Sequence, residues 1–408
     1  MRLPVLFTAA SLAVTLSACG GGGEDVAPTP GATPAPTAAF EAPLRGEVRA
    51  FPGERLVLGV SAPMVGGDAW GADLRDAVRL AVEDAGGRVA GVAVTVDARD
   101  DGCDDPERPA AVAARFAQNP AVFAVVGPAC NNGEFVAGPV YEYASRVHVS
   151  PSATRVRPAE RPLQTFFRTA WRDDRQGELL ARYAFQTLGA RRAYIVDDGS
   201  DYGQVVAYSF AKAFGGLGGE VAGHGRADIP GVGSEVSRAN PDVVTYGGLA
   251  AGGAALAQAL RQAGYTGPLV GPDALLDVEG FLAPAGDAAA PTVVLGPPPL
   301  DPDFVRRFQT RFGRAPLSPF TGHAYDAARM LLAAAERAAV TSPDGAVVIA
   351  NQRLREELLA QPYEGLTGPI AFGPTGDREG DDAAALGLAF YEVRDRTFAP
   401  LDSAARAP

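Results

Sequence analysis

Leu56-Val57-Leu58-Gly59-Val60, followed by Leu74-Arg75-Asp76-Ala77-Val78-Arg79-Leu80-Ala81-Val82-Glu83-Asp84-Ala85, decides the fold class. The first run is a short, continuous apolar segment, as in a strand covered on both faces. In the second, Leu74, Ala77, Val78, Ala81, Val82 and Ala85 fall on one helical stripe, with Asp73, Asp76, Arg79, Glu83 and Asp84 off it. Gly86-Gly87 ends the helix. A buried strand handing over to an amphipathic helix is half of a βαβ unit.

The same alternation continues outward. Strands are expected at 92–96, 122–126 and 147–149, with helices at 109–117 and 135–144 between them. A second series then begins, with helices at 177–188, 203–214 and 254–263 and strands at 193–196, from Val221, at 243–246, 269–270 and 293–295. Two such series predict two similar lobes with parallel sheets covered by helices. Helices at 302–312, 321–339 and 354–359 follow, and antiparallel strands are expected at 368–372 and 386–393. That ending breaks the βα rhythm, as if the chain crossed between lobes more than once.

Upstream, Arg2 precedes an apolar run over 3–16 that ends in Leu16-Ser17-Ala18-Cys19. A short apolar run behind a positive charge, ending in small residues, reads as a secretory signal. A cysteine at the cleavage point looks like a bacterial lipobox, which would acylate Cys19 and anchor the chain to a membrane outside the cytoplasm; a coincidental cysteine is the alternative. Residues 20–50, rich in Gly, Pro, Ala and Thr, are expected to form a flexible tether. About 360 residues are left, enough for two domains. The net charge of -12 argues against nucleic acid, which needs a basic face. Cys103 and Cys130 remain as an even pair in an exported chain, which suggests a disulfide, two reduced thiols being the alternative. Two cysteines and the scattered His148, His224 and His323 lack metal-ligand spacing. No phosphate loop, dinucleotide fingerprint or nucleophile elbow is present, so neither cofactor nor enzyme is expected.

Asp100-Asp101-Gly102-Cys103-Asp104, Val125-Val126-Gly127-Pro128-Ala129-Cys130, Ser150-Pro151-Ser152-Ala153-Thr154 and Asp201-Tyr202-Gly203, in this order, resemble the periplasmic leucine/isoleucine/valine-binding proteins. These are type I solute-binding proteins of ABC importers. The resemblance implies an α/β fold of two Rossmann-like lobes with parallel central sheets and a three-segment hinge, closing on one small ligand. The hinge crossovers are expected near 167–171, 295–300 and 341–349, giving lobe 1 as 51–168 with 298–342 and lobe 2 as 169–297 with 343–408.

The resemblance also implies a site. Asn131 and Asn132 replace a serine that helps a helix N-terminus hold an α-carboxylate, or they only cap that helix. Ser152, Ala153 and Thr154 would touch both ends of an amino acid, or form a self-bonded Ser/Thr turn. Asp273 stands where amino-acid-binding relatives carry a glutamate facing the ammonium; capping the helix at 274–281 is the alternative. Trp70, where relatives have tyrosine, and Tyr202 and Tyr246 would wall the cleft, unless they pack in the core. The expected function is a monomeric, lipid-anchored, periplasmic binding protein that delivers an amino acid, of branched-chain type, to ABC permease subunits. The alternatives are a sensing module serving a membrane receptor, or a binder of an amide, urea-like molecule or small carboxylate.

Overall fold

The computed structural model describes residues 46–65, 70–103, 105–156 and 163–401. The signal, Cys19 and most of the tether lie outside the described residues. Chain order is β1 (Glu47–Ala50), β2 (Arg55–Ala62), α1 (Gly71–Asp84), β3 (Arg88–Val89), β4 (Val92–Asp100), α2 (Arg108–Gln118), β5 (Val122–Val126), α3 (Asn131–Tyr143), β6 (His148–Ser150) and β7 (Phe166–Arg168). These strands, without β1, form a six-stranded sheet ordered β3-β4-β2-β5-β6-β7, parallel except for the β3–β4 pair.

The second series runs α4 (Asp173–Arg182), β8 (Arg192–Asp197), α5 (Asp201–Gly216), β9 (Glu220–Arg226), α6 (Val232–Ala239), β10 (Val243–Gly247), α7 (Ala250–Gln262), β11 (Leu269–Gly271), α8 (Ala283–Ala285) and β12 (Thr292–Gly296). Then come α9 (Pro302–Phe312), α10 (Thr321–Ala338), β13 (Val340–Thr341), β14 (Val347–Ala350), α11 (Asn351–Ala360), β15 (Tyr363–Gly365), β16 (Gly368–Ile370), β17 (Ala389–Arg394) and β18 (Thr397–Pro400). The second sheet has the order β18-β17-β12-β11-β10-β8-β9, with β17 and β18 added antiparallel at one edge.

Local chemistry sets the element ends. Ser200 caps α5 by accepting from the Gly203 amide. Asp301 caps α9, whose Pro302 occupies the first turn where no N–H is needed, and Gly313 ends it left-handed. The α1 stripe packs against α10, so Leu74, Ala77, Val78 and Ala81 share a core with Ala327, Leu331 and Ala335. The second sheet divides its strand residues by parity: Val243 and Ile195 join one core, Val244, Val196 and Tyr246 the other.

Two expectations about boundaries need correction. Glu47–Ala50, placed in the tether, is strand β1, paired antiparallel with Val347–Ala350. Its Val48 and Ala50 are buried, so the folded chain begins before residue 51. Residues 347–372, assigned to lobe 2, belong with the first sheet: Val347, Ile349, Leu354, Leu358, Ile370 and Phe372 are all buried in its core. The chain passes between the sheets after Arg168, again between β12 and α9, and finally over 373–388 rather than 341–349.

Cys103 and Cys130 form a disulfide with Cα atoms 5.4 Å apart, inside the range such bonds require. It ties the segment after β4 to the residue preceding α3.

Candidate functional site

The carboxyl ends of β5 and β6 carry two loops that bond to each other, as expected where open α/β sheets take ligands. Ser150 Oγ donates to the Pro128 carbonyl at 2.6 Å and accepts from the Ala153 amide at 3.0 Å. Ser152 Oγ donates to the Ala129 carbonyl at 2.6 Å, and Asn131 Oδ1 accepts from the Arg155 amide at 2.9 Å. Gly127 permits this approach: at φ 111° its missing Cβ would lie 2.1 Å from the Ser61 carbonyl oxygen. Asn131, Ser152, Ala153 and Thr154 thus form one loop cluster at the start of α3, whose first-turn amides have no helical carbonyl partners. Asn132 points outward from that first turn and is exposed.

Thr154 meets the other lobe. Its carbonyl accepts from the Asp173 amide at 3.0 Å, and its side chain lies near enough to the Asp173 carboxyl to favour the ionised form. Asp173, the first residue of α4, is 3% exposed, and its Oδ1 is buried with no partner among the described residues. Burial pushes this carboxyl up to about 7; Thr154 and Arg168 pull the other way, while Asp273 nearby adds to the rise.

Asp273 is half-buried after β11 and forms a closed triad with Tyr202 and Gln176. Tyr202 Oη donates to Asp273 Oδ1 at 2.6 Å, Gln176 Nε2 donates to the same oxygen at 2.9 Å, and the Asp273 amide donates to Gln176 Oε1 at 3.0 Å. Burial raises the Asp273 carboxyl, against the pull of Tyr202 and Gln176. Burial, then Asp273 and Asp173, hold the Tyr202 hydroxyl protonated well above its ordinary range. Gly203 brings Tyr202 here, since a Cβ at that position would lie 2.5 Å from the Gly247 carbonyl oxygen.

Trp70 precedes α1, fixed by Gly71, where a Cβ would fall 2.1 Å from the Pro63 carbonyl oxygen. Its ring lies 6.5 Å from Phe320, which stacks on Trp171 at 5.6 Å and packs against the cores of both lobes. Tyr246, expected in the cleft, is instead fully buried in the lobe-2 core. Its parity on β10 turns it toward α7, and its hydroxyl is satisfied by the Leu249 carbonyl at 3.0 Å.

The arrangement includes residues that the sequence reading passed over: Asp173, Gln176 and Phe320. The helix expected from Gly177 begins at Asp173, and the pair Asp173-Asp174 is the kind of acidic first turn that marks a helix start. At the outer rim Arg155 meets Asp201 across the lobes at 3.3 Å. Beside it, a groove of about 1020 Å³ is lined by Arg155, Glu178, Arg182, Tyr208 and Lys212, the chain's one lysine. His148 lies on Glu134, His224 on Asp197, and His323 is sealed between the lobes, so none joins this cluster. Among the described residues no His, Cys, Asp or Glu group could hold a metal ion, and no helix is long and apolar enough to cross a membrane. Chemically, the site offers a recessed carboxylate oxygen, a threonine, a helix start and an aromatic wall.

Comparison with known proteins agrees with this fold. The periplasmic binding protein family matches residues 56–397. An amino acid binding protein of Pseudomonas aeruginosa is 27% identical over 341 residues, covering 80% of this chain and 88% of that protein. Leu/Ile/Val-binding protein homolog 1 of Brucella abortus is 26% identical, covering 79% and 87%. A putative branched-chain amino acid ABC transporter structure from Rhodospirillum rubrum superposes with a TM-score of 0.70 at 26% identity, covering 85% of this chain and 100% of that one. A substrate-binding protein from Desulfitobacterium hafniense, solved with Leu, shares the fold at a TM-score of 0.69 and 23% identity, again covering 85% and 100%. With two βα lobes, three crossings and a match over nearly all its folded length, the chain belongs to the periplasmic binding protein family, solute-binding proteins rather than enzymes, alongside the Leu/Ile/Val-binding proteins.

Proposed function

We propose that this chain captures a small amino acid, of branched-chain type, between its lobes and delivers it to the permease subunits of an ABC importer. The observation that carries the reading is Asp173 Oδ1: a buried carboxylate oxygen with no partner among the described residues, beside Thr154 and close enough to Asp273 to feel its charge. A buried acceptor left open costs free energy unless a ligand or water fills it, and a cationic ligand gains most there. In this reading an α-ammonium meets Asp173 and Thr154, with Asp273 behind them. The α-carboxylate takes the amides at the start of α3 near Asn131 and Asn132, and the side chain packs toward Trp70 and Phe320. The relatives' names, which carry leucine, isoleucine and valine, favour an aliphatic side chain. Closure of the lobes about the three crossings would bury the ligand. The protein would act outside the cytoplasm as a monomer held by lipid at Cys19, a placement that rests on the residues around that cysteine.

The test is calorimetry on protein unfolded and refolded to remove carried-over ligand, against the twenty amino acids, amides, urea, polyamines and short carboxylates. Binding confined to α-amino acids with aliphatic side chains is the expected result. Binding only to ligands without an ammonium removes Asp173 and Asp273 from the site, and silence across the panel turns the reading toward a sensing module.

A further inference from the structure

Arg168 is the last residue of β7 and the last before the first crossing, yet it is 1% exposed. A guanidinium never gives up its charge, so burial this complete is tolerated only where the group is ion-paired and hydrogen-bonded. Nη1 donates to the carbonyls of Ala153 and Arg155, both at 2.9 Å, and so holds the loop over 152–155 from beneath. On its other edge, Nε and Nη2 each meet Asp377 Oδ1 at 2.6 Å. Asp377 lies in the third crossing, 209 residues further along the chain.

That crossing is pressed onto β7. The Arg168 amide donates to the Gly376 carbonyl at 3.0 Å, and Gly376, at φ 77°, has room for no side chain: a Cβ there would lie 1.9 Å from the Phe166 carbonyl oxygen. Asp377 also accepts from Thr375 Oγ1 at 2.9 Å and has Arg172, in the first crossing, 3.5 Å away. One planar group therefore joins three segments: the loop that faces the cleft, the first crossing and the third.

We propose that Arg168 is a positioning residue that couples the cleft loop at 152–155 to the interlobe crossings through Asp377. This rests on the reading that the loop holds the ligand. Rotation of the lobes turns backbone dihedrals in the crossings and shifts Asp377 against β7. The rigid fork passes that shift to the Ala153 and Arg155 carbonyls, and ligand seated on the loop biases the crossings by the same route. Lysine has one donor centre and cannot hold both partners in fixed relation.

Hydrogen exchange on the full chain tests the coupling without ligand. Asp377→Asn alters no residue of 150–156, yet it should speed exchange there at least about tenfold, as Arg168→Lys should. A change confined to 372–380 overturns the proposal. Saturating L-leucine should then slow exchange at 372–380 in the natural protein and lose that effect in either variant, which simple loss of stability would not produce; unaltered long-range protection in both variants overturns it as well. If Arg168→Lys does not fold, Asp377→Asn alone decides. Thr154→Val tests the underlying reading separately: unchanged L-leucine affinity there discards the loop as ligand site, while the exchange result still decides the coupling.

Discussion

The Tyr202 hydroxyl donates to Asp273 Oδ1 at 2.6 Å, and Gln176 donates to that same oxygen. The carboxylate that sequence alone would set against an ammonium is therefore engaged within its own lobe. Asp173 holds a buried oxygen with no partner among the described residues. Asp273 raises the negative potential around it and keeps Tyr202 in place, so the two acids have different tasks within one cluster.

Asp173→Asn should weaken L-leucine binding by at least tenfold at pH 8 in calorimetry, the loss of a charge-assisted contact in a recessed site. With its carboxyl raised to about 7, ligand-free Asp173 holds its proton through mildly acidic pH. An ammonium needs the ionised form, so affinity should rise from pH 5 to pH 7 with proton uptake by buffer. The variant should show neither effect.

Asp173 and His323 should contribute to the pH dependence of stability in opposite senses. Asp173 is raised from 3.8 to about 7, so its contribution is full at low pH and is lost as pH climbs through that window. His323 is lowered from 6.5 to about 3, first by burial and then by the Arg378 cation, so its contribution is full above 6.5 and is lost as pH falls. Each slope reaches at most about 1.4 kcal/mol per pH unit. Between about pH 4 and 6.5 they offset. Relative to the natural protein, melts of His323→Gln should therefore slope further downward as pH rises across that window, and melts of Asp173→Asn further downward as pH drops.

Trp70→Ala should weaken aliphatic amino acid binding by about 10- to 100-fold, as truncation of an aromatic anchor does. Tyr246→Phe should leave affinity within about twofold and lower stability by about 1 kcal/mol, the net value of one hydrogen bond. Equal effects of the two substitutions on affinity would contradict their separate placement.

Cys103→Ser should lower the melting temperature by several degrees while binding stays measurable. The bond closes a separation of 27 residues, worth about 3–4 kcal/mol in the chain-entropy view. A thiol assay on unreduced protein should find neither cysteine free.

The βα rhythm was legible because period-2 and period-3.6 patterns are local, and α1 shows it residue by residue. The loop cluster was legible because Asn131 and 152–154 follow strands directly. Pairing across the chain was not: Glu47–Ala50 has its partner about 300 residues away, and nothing in four residues names it. The same distance hid the third crossing, since 347–349 reads as a strand for either sheet. Tyr246 was misplaced because every strand end near a cleft also has a core-facing parity. Asp173 was missed because burial, which raises its proton affinity, depends on Thr154, Arg168 and Asp273 arriving from elsewhere in the chain.

Lys212 lies on α5, lining the groove next to the Arg155–Asp201 contact between the lobes. Because no other lysine exists in the chain, an amine-directed dye has a single side chain to modify. The two tryptophans, Trp70 packed on the first-lobe core and Trp171 within the second-lobe core, are ready emitters. A motion that parted Arg155 from Asp201 would carry Trp70, packed on the first core, away from a dye on α5, while Trp171, packed in the second core, would stay with it, so the native sequence already holds the probes for an optical test of lobe motion.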